Sequence, residues 1–196
     1  MAQPMLNARL MRRRGFTLVE LMIVVCIVGI LAALAIYGIR RYQQSAATGE
    51  ATATLQSIRG AEEAFRAETL MYGGCTNGAP APAMVSTLTA NDFYPRATTA
   101  LDDRKMQWGG LGNMLACTRA LGIQSAGAVR FTYGVLAGVP GAAITPADPT
   151  ANLLTFTPLE PWFAGVALAN RDGDGVYARV TVYSFSNEVG IQNDTE

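Results

Sequence analysis

Three groups of residues in this chain have the types and spacing to do chemistry. Asn170, Asp172 and Asp174, in Asn170-Arg171-Asp172-Gly173-Asp174-Gly175, set side-chain oxygens at the alternate positions from which a calcium loop draws its first ligands. Against that reading, the position of the bidentate glutamate in a helix-loop-helix site is Thr181, and no second helix follows. The same six residues suit a glycine-rich hairpin turn, where Asp and Gly supply positive φ angles. Both readings stand at this level. Cys75 and Cys117 form a second group, in the polar part of the chain, while Cys26 lies in an apolar run where a thiol acts as a small hydrophobe. No Cys-x-x-Cys spacing supports a zinc or redox centre. The third group is a single carboxylate, Glu20, at the start of that apolar run.

What the chain lacks narrows the chemistry further. It has no histidine, the commonest general base and metal ligand, and no Ser/His/Asp or Cys/His constellation. An enzyme is therefore not expected. The chain has 15 basic and 15 acidic residues, but Arg9, Arg12, Arg13 and Arg14 crowd into the first fifteen, which hold no acid. The rest carries 11 basic against 15 acidic residues, so it offers no electrostatic footprint for a nucleic acid.

The element that carries Glu20 is a helix built for lipid. From Leu21 to Ile39 the run is apolar and Arg40-Arg41 close it. At about 1.5 Å per residue, about 20 residues cross roughly 30 Å of hydrocarbon. A carboxylate in mid-bilayer costs about 2.5–3.5 kcal/mol, less near an end, so a headgroup position is one account of Glu20 and a partner is another. Three signals of other kinds fit poorly. Ala33-Leu34-Ala35 offers a secretory cleavage site, but the apolar run passes it. Arg13-Arg14-Gly15-Phe16 is a loose twin-arginine match with Glu20 inside its core, and Val25 is too large to precede a lipidated Cys26.

Gly15-Phe16-Thr17-Leu18-Val19-Glu20, followed by Leu21-Met22-Ile23-Val24-Val25 and Gly29-Ile30-Leu31-Ala32-Ala33, resembles the class III signal of type IV pilins and pseudopilins. The resemblance covers about the first fifty residues. It implies a leader, residues 1–15, cut after Gly15 by a prepilin peptidase that methylates the Phe16 amine. It also implies that Glu20 attracts the N-terminal amine of a neighbouring subunit during assembly. Two charges poorly tolerated in lipid each gain by pairing, and one subunit alone does not satisfy both. Many family members have a proline where this chain has Tyr37, next to Gly38. A helix with Tyr37-Gly38 keeps its backbone donor, so less melting is expected there in a fibre. In an exported domain Cys75 and Cys117 are expected to pair as a disulfide.

Beyond residues 16–41, the transmembrane and polymerisation segment, the helical pattern continues over 42–72. Leu55, Ile58, Glu62 and Phe65 recur at steps of three and four, and Tyr72-Gly73-Gly74 ends the helix. Phe16, Tyr37, Tyr42, Phe65 and Tyr72 read as packing aromatics. Residues 73–127 are irregular, with a loop at Ala79-Pro80-Ala81-Pro82 and a short helix over Leu88 to Tyr94. In 128–196, strands are expected over Val129 to Leu136, Leu153 to Thr157, Trp162 to Ala169 and Val176 to Phe185. In the last of these, Val176, Ala178, Val180 and Val182 share one face, opposite Tyr177, Arg179, Thr181 and Tyr183. The fold expected is α+β and pilin-like, one long helix packed on an antiparallel sheet of about four strands.

The resemblance implies a structural subunit of a type IV pilus, acting in adhesion, twitching motility or DNA uptake. It leaves open a pseudopilin that works as the periplasmic piston of a type II secretion system. The implied partners are further pilin subunits, minor pilins among them, prepilin peptidase, an inner-membrane assembly platform, an outer-membrane secretin, and membrane lipid before assembly. No cofactor is implied unless the Asn170 loop takes calcium. The precursor would lie in the inner membrane and the product in an extracellular fibre.

Overall fold

The computed structural model describes residues 15–75, 87–102, 104–109, 115–145, 149–155, 157–171 and 173–193. The leader before Gly15, the Ala79-Pro80-Ala81-Pro82 loop and Asp172 lie outside the described residues. The chain divides into two compact units, Met1–Arg40 and Arg41–Glu196. Helix α1 (Leu18–Thr69, 52 residues) begins in the first unit and ends in the second, and it passes Gly29, Tyr37 and Gly38 without a break.

In the first unit every side chain of α1 is exposed, and the helix is long and apolar enough to cross a membrane.

In the second unit α1 shows the stripe that its spacing predicts. Ala47, Ala51, Leu55, Ile58 and Glu62 are buried, at steps of four, four, three and four, with Phe65 packed at the edge. Alanine at two of these positions lets the sheet approach the helix. Gly165 lies under Leu55: a Cβ there would come within 3.3 Å of Leu55 Cδ2 and 2.9 Å of Val182 Cγ2. Each large apolar side chain buried in this way contributes about 1.5–3 kcal/mol.

The sheet is an antiparallel meander, β1 (Thr132–Gly138), β2 (Trp162–Ala169), β3 (Ala178–Tyr183) and β4 (Ser186–Gln192), in spatial order β1-β2-β3-β4. Register is set by pairs such as Val135 with Gly165 and Gly165 with Val182. Strand β2 is buried at all eight positions because both its faces are covered. Phe163, Ala167 and Ala169 share a core with α1, and Trp162, Ala164, Val166 and Leu168 share one with Leu88, Phe93, Ile144 and Leu153. The unit therefore has three layers: helix, sheet, and a layer of irregular chain.

That third layer also covers the free edge of β1. Cys75 N donates to Val135 O at 3.0 Å, and Tyr94 and Tyr133 exchange backbone bonds at 2.9 and 2.7 Å. Arg59 fastens α1 to the β3–β4 turn, its guanidinium donating to Ser186 O at 2.7 Å and Tyr183 O at 3.1 Å.

Three expectations need correction. The segment Leu153 to Thr157 is no strand where it is described; Leu153 packs as coil in the third layer, its side chain buried without a ladder. The fourth strand is instead Ser186–Gln192, which pairs with β3 after a turn at Ser184-Phe185. The expected helix over Leu88 to Tyr94 shrinks to a single 3₁₀ turn, Ala90–Asp92. Helix α1 stops at Thr69, before the glycines, with Leu70 in the left-handed position at φ 63°. Within the irregular region lie a second 3₁₀ turn, Thr98–Ala100, and a six-residue helix α2 (Leu115–Ala120).

Candidate functional site

The N-terminal site is the start of α1. Gly15, Phe16 and Thr17 precede the helix, and the Phe16 side chain is 82% exposed. Thr17 is the N-cap. Its amide donates to Glu20 Oε2 at 2.9 Å, its hydroxyl donates to the same oxygen at 2.7 Å, and Glu20 N donates back to Thr17 Oγ1 at 3.2 Å. This is a reciprocal capping box, and it satisfies two of the amides that a helix start leaves unpaired. Glu20 Oε1 takes no hydrogen bond among the described residues.

Thr17 was not singled out beside Gly15, Phe16 and Glu20, although Thr17-Leu18-Val19-Glu20 carries the Thr-x-x-Glu signal just before an apolar run. A carboxylate there has local work to do within its own chain. It also sits beside the partial positive charge of the helix N-terminus, which favours an anion.

Cys75 and Cys117 are joined, with Cα atoms 5.7 Å apart, and both are buried. The bond ties the chain leaving α1 to α2 across a sequence separation of 42 residues. Cys26 is free and exposed.

At the loop between β2 and β3, Asn170 Oδ1 accepts from Gly173 N at 2.9 Å and Asp174 Oδ1 accepts from Val176 N at 2.6 Å. Gly173 and Gly175 hold φ of 80° and 87°, which the turn requires. Arg171 donates to Gln44 O at 3.3 Å and so fixes the loop to α1. Asp172, the middle residue of the calcium spacing, lies outside the described residues. Among the described residues no group of three or more acidic or cysteine side chains could hold a metal ion.

Comparison with known proteins agrees with this geometry at the N-terminus. Residues 10–36 match the family model of the prokaryotic N-terminal methylation motif. The chain is 44% identical over 66 residues to the type IV major pilin protein PilA of Myxococcus xanthus (strain DK1622). That match covers 34% of this chain and spans 30% of the length of the curated relative. No solved structure matches the chain. The motif and the relative's match bear out the resemblance to the type IV pilin family, and the α+β architecture, one long helix packed on a four-stranded antiparallel sheet, is pilin-like.

Proposed function

We propose that the chain is a structural subunit of a type IV pilus. Its precursor is held in the inner membrane by the first unit of α1, cut after Gly15 and methylated on Phe16 by a prepilin peptidase. The mature chains then polymerise through α1 into an extracellular fibre, by way of an assembly platform and a secretin, and the disulfide-bonded unit forms its surface.

The observation that carries this reading is the methylation motif on an apolar helix that continues into an α+β unit. Three further points support it. The relative's printed name is that of a major pilin. The apolar run of α1 from Leu21 to Ile39 is exposed throughout, which suits lipid first and neighbouring helices afterwards. Glu20 keeps one oxygen free of local hydrogen bonds, as an acceptor for a neighbour's Phe16 amine would. The role is scaffolding rather than catalysis.

Mass spectrometry of fibres sheared from cells tests the reading. The N-terminal peptide should begin with N-methylphenylalanine at Phe16, and Gly15→Val should leave uncut precursor in the membrane. Fibre protein that retains residues 1–15, or cells whose surface fibres lack the chain, would overturn it.

A further inference from the structure

Glu62 is a fully buried acid on the sheet-facing stripe of α1. Past Leu70 the chain doubles back over the helix, and Tyr72, Gly73, Gly74 and Cys75 are all buried. Gly73 N donates to Glu62 Oε2 at 2.8 Å, eleven residues away in sequence. Glu62 Oε1 is buried with no hydrogen-bond partner among the described residues. A carboxylate can accept about four hydrogen bonds, so an ionised Glu62 held by one backbone amide would be badly under-satisfied.

Among the described residues no arginine or lysine bonds to Glu62 to offset that deficit. The charge that acts on Glu62 is that of Glu63, the next residue on α1, and it repels. Arg66, one turn on, is engaged elsewhere: it donates to Tyr72 Oη at 2.8 Å and lies 4.9 Å from the centre of the same ring. Tyr72 Oη in turn donates to Glu63 Oε1 at 2.8 Å. From the returning segment, the groups nearest in sequence to Gly73 are thus the Tyr72 phenol, already bonded, and the Cys75 sulfur, held in a disulfide.

We propose that Glu62 is a proton-operated latch. As the neutral acid it pins Gly73 to α1, and loss of its proton releases that stretch while the disulfide to α2 and the Cys75–Val135 backbone bond keep the far end of the segment tethered. The inference rests on the geometry of the second unit and stands apart from the reading of the chain as a pilus subunit. Burial is the main force and pushes Glu62 up to about 8; the Gly73 amide pulls it part of the way back and Glu63 adds to the rise. The closed form binds the proton more tightly than the released one. A released Glu62 returns toward its ordinary 4.5, so the closed form holds an extra proton between 4.5 and about 8. The latch is at full strength below that range, weakens through it, and has lost its proton-linked contribution above it.

Hydrogen exchange on the full mature chain in detergent micelles tests this, read as protection factors so that the intrinsic rise of exchange with pH drops out. Between about pH 6 and pH 9 the protection of Gly73 should fall about tenfold or more relative to Val166 in β2. In Glu62→Gln, neutral at every pH, it should stay level. Equal protection at both pH values in the wild type, or the same fall in Glu62→Gln, would overturn the proposal. A second measurement on the wild type does not depend on the variant's folding. The ¹³C-labelled carboxyl resonance of Glu62 should titrate with a midpoint near 8, and a midpoint in the ordinary carboxylate range sinks the latch.

Discussion

Thr17 and Glu20 cap α1 reciprocally: hydroxyl to carboxylate at 2.7 Å, and Glu20 amide back to hydroxyl at 3.2 Å. Glu20 therefore has two separable roles, a local cap and a proposed partner for another subunit's amine. Glutamine at the same position also closes a capping box, so Glu20→Gln removes the charge and keeps the cap. Glu20→Ala removes both, at a cost to the helix start of about 1 kcal/mol. If charge pairing drives assembly, both variants should be inserted and processed, keep a folded second unit, and yield few sheared fibres per mature membrane-bound chain. A normal yield from Glu20→Gln with a reduced one from Glu20→Ala would assign the carboxylate to capping alone.

The Cys75–Cys117 bond should matter to the second unit more than its two sulfur atoms suggest. It closes a loop across 42 residues, and Cys75 also bonds its backbone to Val135 at the edge of β1. Cys75→Ser with Cys117→Ser should lower the unfolding free energy by about 2–4 kcal/mol. The comparison is by urea denaturation of oxidised wild type and double variant, and coincident midpoints would count against it. Peptide maps without reductant should show Cys75 joined to Cys117 and Cys26 free.

The sequence disclosed those parts of the fold whose burial is one-sided or complete. Leu55, Ile58, Glu62 and Phe65 showed the inward stripe of α1, and the unbroken apolar run of β2 matched a strand covered on both faces. Strand β4 was not legible because it is an exposed edge: Ser186, Asn187, Glu188 and Gly190 carry no alternation that burial would impose. Leu153 misled in the opposite sense, since a buried side chain in coil looks locally like one in a strand. The end of α1 was misplaced because Leu70, not a glycine, takes the left-handed turn. At the site, Gly15, Phe16 and Glu20 were legible as a motif. The Thr17 cap was legible too, but only to a reader looking for helix starts.

Two glycine substitutions should move stability in opposite directions. A Cβ on Gly138 would come within 2.5 Å of the Trp162 ring, which is fixed by its Nε1 donating to Ala142 O at 3.0 Å. Gly138→Ala should therefore cost about 1–3 kcal/mol through overpacking. Gly60 is exposed in the interior of α1 with nothing within 4 Å of its would-be Cβ, so Gly60→Ala should stabilise by about 0.5–1 kcal/mol. Thermal melts of both variants against wild type check the pair. A neutral Gly138→Ala would mean that Trp162 can move aside.

The loop from Asn170 to Gly175 decides between a turn and a calcium site, and the hydrogen bonds favour the turn as the expected outcome. Asn170 Oδ1 and Asp174 Oδ1 already accept backbone amides within the loop, at 2.9 and 2.6 Å, the bonding by which Asx residues shape turns. Thr181, where a helix-loop-helix site would place its glutamate, instead pairs within the sheet with Val166 and Gly190. Calcium at about 1 mM, against a chelator, should therefore leave the melting temperature of the mature chain unchanged. An ion bound at 100 times its dissociation constant would stabilise by about 2.7 kcal/mol, a shift that a melt resolves easily. Asp174→Ala should lower the melting temperature slightly and equally in both buffers, because it removes a turn acceptor. A calcium-dependent rise in the wild type, lost in Asp172→Ala with Asp174→Ala, would make the loop a metal site.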